Sequence, residues 1–133
     1  MSVGNAVQAS VFSKLDAALT YSVYDIPPQP DDSGAKTDWP YVTIGRDIVT
    51  PWDTNSEVGF SVTITVHVWS KKAGFKEAKT VQGEIYTALH RQSLSVTGYT
   101  FIACDIEQEQ VIEDADGITI HGIQTFRIIL DES

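Results

Sequence analysis

The chain has 133 residues, a net charge of −9 and a pI near 4.5. That length fits one domain that can bury a core unaided, and eighteen acidic residues against nine scattered basic ones argue against a surface that grips phosphates. A single cysteine, Cys104, excludes an internal disulfide framework, and no apolar run approaches the ~18 residues needed to span a bilayer.

Residues 1 to 5 lack the basic and apolar regions of a secretory signal, so the expectation is a soluble protein made in the cytoplasm. Val7, Val11, Phe12, Leu15 and Leu19 fall on one face of a helix over residues 6 to 19, with Asn5 or Ser2 available to cap its start. Residues 21 to 25 read as a short strand. Pro27, Pro28 and Pro30 then fix φ and remove donors, so residues 27 to 40 read as a mobile loop, most polar from Gln29 to Asp38. Pro40 opens a strand from Tyr41 to Asp47, and Thr50 to Asn55 reads as a loop. Gly59 to Trp69 alternates most clearly: Phe60, Val62, Ile64, Val66 and Val68 point one way, and Ser61, Thr63, Thr65, His67 and Trp69 the other.

Residues 75 to 90 turn to helical period. Phe75, Ala78, Val81, Ile85, Ala88 and Leu89 line the core face, with Lys76, Lys79, Gln82 and Arg91 off it. Tyr99 to Ile106, whose apolar run suggests a buried Cys104, and Ile118 to Leu130 read as strands. The Asp114-Ala115-Asp116-Gly117 turn between them predicts a long antiparallel hairpin. The expected fold is α+β: a mostly antiparallel sheet of four to five strands with two helices packed on one face, in a single domain over residues 1–133.

Little in this pattern is catalytic chemistry. His67, His90 and His121 stand apart in sequence, though His67 and His121 could sit on neighbouring strands; a metal or acid–base role needs them to meet acids or thiols, and partly exposed strand histidines are the ordinary reading. In the Asp114–Gly117 segment a calcium loop would place Ile112 and Ile123 at ligand positions, and neither can ligate. No serine has nucleophile-elbow context and no glycine run forms a phosphate cradle, so no catalytic residue, metal or cofactor is expected.

Two groups of residues stand out as surfaces. Asp105, Glu107 and Glu109 fall on one face of a strand by period two, and read either as a solvated face or as an acidic channel lining that carboxylates would keep from trapping DNA. Trp52 and Trp69 flank the alternating strand and suit either the centre of an interface or the core edge with the indole N–H bonded. Trp39 reads as a loop anchor. With Asp53, Pro27 and Pro28 these tryptophans are the candidate contacts with other subunits or partners.

Taken in order, Val23-Tyr24-Asp25, Pro40-Tyr41-Val42-Thr43-Ile44-Gly45, Trp52-Asp53-Thr54, Gly59 before an alternating strand, Val68-Trp69-Ser70, Gly74-Phe75-Lys76-Glu77, the Asp116-Gly117 turn and Phe126-Arg127-Ile128-Ile129 run through nearly the whole chain. At these positions it resembles the phage tail completion family, the tail terminator or head-to-tail joining proteins of long-tailed phages, prophages and gene transfer agents. The resemblance implies a structural virion protein at the head-proximal end of the tail. Such a protein forms a homo-oligomeric ring, usually a hexamer. Its partners would be the tail tube protein and the head connector, with DNA passing through unbound, and it would have no membrane, cofactor or catalysis. The alternatives are another connector or tube component, a soluble binding module, or a small hydrolase using His67 or His121.

Overall fold

The computed structural model describes residues 3–25 and 39–132. The elements are α1 (Val3–Ala18), β1 (Ser22–Tyr24), β2 (Tyr41–Pro51), β3 (Gly59–Ser70), α2 (Lys76–Leu89), β4 (Tyr99–Glu113) and β5 (Ile120–Glu132). One five-stranded sheet has the order β1-β2-β3-β5-β4, with β1 parallel to β2 and every other neighbour antiparallel. This is the expected α+β class. Residues 26–38, which hold most of the expected proline loop, lie outside the described residues.

The period-two pattern of β3 decides the layering. Phe60, Val62, Ile64, Val66 and Val68 are buried in one core with Val7, Val11 and Leu15 of α1 and Val81, Ile85 and Leu89 of α2. Both helices therefore cover the same sheet face. α2 is the crossover between β3 and β4, which run parallel with β5 inserted between them. Tyr21 Oη donates to Glu84 Oε2 at 2.7 Å and ties the end of α1 to α2. Glu77 Oε1 accepts from Ser70 Oγ at 2.7 Å, which fastens the first turn of α2 to the end of β3.

Several boundaries differ from the sequence reading. Asn5 lies inside α1 rather than at its cap. β2 runs on to Pro51 because a bulge at Gly45–Arg46 resets its phase: Ile44 pairs with Val66, and Asp47 next with Ile64. β4 continues to Glu113 through two such irregularities, between Phe101 and Ala103 and between Ile106 and Gln108. Phe75 precedes α2 and is 43% exposed, whereas Gln82, expected on the solvent side, is 1% exposed.

Gln82 is buried because the sheet offers it partners. Its Nε2 donates to the Gln110 carbonyl at 3.0 Å, while its own backbone carbonyl accepts from Gln124 Nε2 at 3.0 Å. Gly122 leaves the space, since a Cβ there would stand 2.8 Å from Gln82 Nε2. This polar clasp fixes α2 over β4 and β5. Cys104 is buried as expected, and burial, with Asp105 beside it, pushes its thiol up to about 12.

Candidate assembly surface

The sheet face opposite the helices carries the polar-side residues of β3. Register lines up Tyr41, Trp69, His121 and Ile112 across β2, β3, β5 and β4. Trp69 is half-buried there, and its Nε1 donates to Thr43 Oγ1 at 3.0 Å. The His121 ring stacks on the Trp69 indole at 3.9 Å and 10°. His67 and His121 share a hydrogen bond, Nδ1 to Nε2, at 2.7 Å. Gly45, at the β2 bulge, makes room for His67: a Cβ there would lie 2.5 Å from His67 Nε2. Burial pushes both imidazoles below the usual histidine value. The His67 ring lowers His121 further, and Asp114 pulls it partly back.

The platform continues to the sheet edge. Tyr41 is buried although it lies on this face, because Trp39, Tyr24 and Trp69 surround it, with ring centroids at 4.9, 5.9 and 6.4 Å. Lys71 Nζ sits 4.7 Å over the Trp39 ring. Trp39 is thus part of the same aromatic cluster as Trp69.

Trp52 stands at the other end of β3, roughly 30 Å away along an extended strand. It is 47% exposed, and Arg127 from β5 lies over its ring at 5.2 Å. The fold therefore separates the two tryptophans that flank β3. Asp53 is occupied within its own loop, where Oδ1 accepts from the Gly59 N–H at 3.1 Å. Pro27 and Pro28 lie outside the described residues.

The acidic stripe does not form. The extra residue Glu107 breaks period two, so Asp105 lies opposite Arg127 on the uncovered face while Glu109 lies opposite Gln124 on the helix side. Glu109 accepts from Gln124 Nε2 at 3.0 Å, and Asp105 pairs with Arg91 at 3.5 Å. The Asp114–Gly117 segment is a hairpin turn. Asp116 accepts from the N–H groups of Ile118 and Thr119 and from the Thr119 hydroxyl. Those bonds hold its carboxyl down at about 2.

As chemistry, these groups hold structure. The two strand histidines bond to each other rather than to a carboxylate or hydroxyl. His90 Nδ1 accepts the Ile106 N–H at 3.1 Å and joins the end of α2 to the free edge of β4. Residues 9–131 match the family described as tail completion protein gp17. The chain belongs to the gp17 tail completion family.

It is 36% identical over 106 residues to tail completion protein gp17 of Bacillus phage SPP1, which covers 79% of this chain and 78% of that one. The solved structure of bacteriophage SPP1 gp17 matches with a TM-score of 0.60 at 29% identity, over 96% of this chain and 91% of the other. A chain in the virion of a native gene transfer agent particle matches with a TM-score of 0.84, over 98% of each chain; at 20% identity that likeness is one of fold. This gp17-family chain is a structural component of a virion tail. Sequence reasoning placed Trp69 and His67 on the polar side of β3. It allowed that His67 and His121 sit on neighbouring strands, as they do, but it missed Tyr41 and Thr43 beside Trp69, and Arg127 over Trp52, because cross-strand register is not written in any one strand.

Proposed function

We propose that this gp17-family chain caps the head-proximal end of a tail tube as a homo-oligomeric ring, six subunits by the family resemblance, and there stops tube growth and joins tail to head connector. The observation that carries this reading is the two-sided sheet within a tail completion fold: both helices cover one face, while the other presents Trp69, His121, Ile112 and Trp52 with no described element packed across it. Aromatic residues on an uncovered face suit the centre of an interface. The work is assembly rather than catalysis, its partners are further copies, the tube protein and the connector, and DNA moves through without specific contacts.

Electron microscopy of lysates from a strain lacking this gene tests the reading. Filled heads beside unattached or over-long tail tubes are expected. Normally joined particles would end it.

A further inference from the structure

The charge on this chain is unevenly placed. From Asp105 to Asp116 there are six carboxylates and no lysine or arginine, against a net charge of −9 for the whole chain. These residues form the outer edge strand β4 and its turn into β5. Asp105 and Glu109 already have partners, and Asp114 and Asp116 bond within the turn. Glu107 and Glu113 are exposed, and the ion pair among the described residues uses neither.

The uncovered sheet face has the opposite character. Arg127 is exposed and rests on Trp52, and Arg46 is exposed at the β2 bulge; Lys71, which rests on Trp39, already faces the Asp116 carboxylate of the same chain. Asp105 stands directly across the ladder from Arg127, yet its ion pair is with Arg91. Arg127, laid on an aromatic ring on the one face that no described helix covers, has the composition of an interface centre open to an anion.

We propose that adjacent copies meet head to tail, with the acidic β4 edge of one docked on the Arg127–Arg46 sheet face of the next; this rests on the ring reading above. Charge complementarity selects a second copy as the occupant. Pairing edge to edge or face to face would set like charges opposite, whereas edge to face joins two different patches, the arrangement that closes rings. The contact is made by side chains and not by adding a strand. The free edge of β4 is broken by two irregularities, and His90 and Arg91 bond its Ile106 and Cys104 backbone groups.

The test complements a strain lacking the gene with three variants: Arg127→Glu, Glu107→Lys with Glu113→Lys, and all three changes together. Thermal unfolding of each purified variant first verifies that it folds. Each one-sided reversal should lower the yield of joined particles about tenfold or more, and the combined variant should restore it, as opposite charges meet again. A combined variant as defective as either reversal overturns the proposal, since the two surfaces then face different partners. Carboxylate reversals that leave rings intact but slow DNA release also overturn it, and assign the edge to the channel. Micrographs of wild-type particles separate the two failures: a tail end without a ring sinks the ring reading itself, whereas a ring in every variant sinks only this contact.

Discussion

Substituting alanine at two glycines should move stability in opposite directions. At Gly122 the new Cβ would stand 2.8 Å from Gln82 Nε2 and 3.2 Å from the Val68 Cβ. Gln82 is 1% exposed and cannot swing into solvent, so it must give up its bond to the Gln110 carbonyl. Leaving a buried donor unsatisfied costs about 1–3 kcal/mol, and overpacking adds about 1–3 kcal/mol. The stiffer unfolded chain returns about 0.4–1 kcal/mol. The net loss is about 1–5.5 kcal/mol, a large share of the roughly 5–15 kcal/mol typical of a domain. For a chain of this length that lowers the Tm by roughly 4–20 °C. Gly83, in the middle of α2, has nothing within 4 Å of its ideal Cβ, so Gly83→Ala should stabilise by about 0.5–1 kcal/mol. Urea unfolding measures both through the midpoint at unchanged slope. A Gly122→Ala midpoint equal to wild type would refute the account of the glutamine clasp, and a destabilising Gly83→Ala would refute the open space at that position.

Three further outcomes follow from the same geometry. His67 and His121 titrate below the ordinary 6.5 in the folded chain, so the unfolded state binds more protons in that window. Their contribution is complete above about pH 6.5 and is lost as pH falls toward their lowered native values; between pH 7.5 and 5 the wild type should lose more stability than a His67→Gln, His121→Gln double variant, and equal slopes would dismiss the coupling. Asp116→Ala removes the acceptor for the Ile118 and Thr119 amides, and hydrogen exchange at those two positions should quicken on the order of tenfold; unchanged protection would mean the turn holds without the carboxylate. Cys104, with its thiol raised to about 12 and its side chain buried, should resist iodoacetamide at pH 8 until the protein unfolds, and alkylation of native protein at the unfolded rate would contradict that burial.

Which parts were legible depended on whether a pattern repeated without interruption. The alternation of β3 gave its buried and uncovered sides correctly, since period two follows from the pleat alone. The helical stripe of α2 gave Ala78, Val81, Ile85, Ala88 and Leu89. It misplaced Gln82, because an amide reads as solvent-facing until β4 and β5 supply its partners. The supposed stripe of Asp105, Glu107 and Glu109 failed for a related reason. One inserted residue reverses every later side chain, and nothing local to β4 announces the insertion.

The amino-acid sequence by itself determined the class of fold, the two amphipathic helices, the alternating central strand, the hairpin turn and the resemblance to tail completion proteins. All of these rest on local periodicity, on turn chemistry or on an ordered series of short motifs. Only the tertiary structure decided that Trp69 stacks with His121 while Trp52 lies at the far end of the sheet. It also decided that Arg127 stands free of Asp105 and that the carboxylates of β4 gather along an edge rather than a face. The physical reason is common to all three. Strand order and register join residues dozens of positions apart, and they are set by the burial of the whole sheet against both helices rather than by any segment alone.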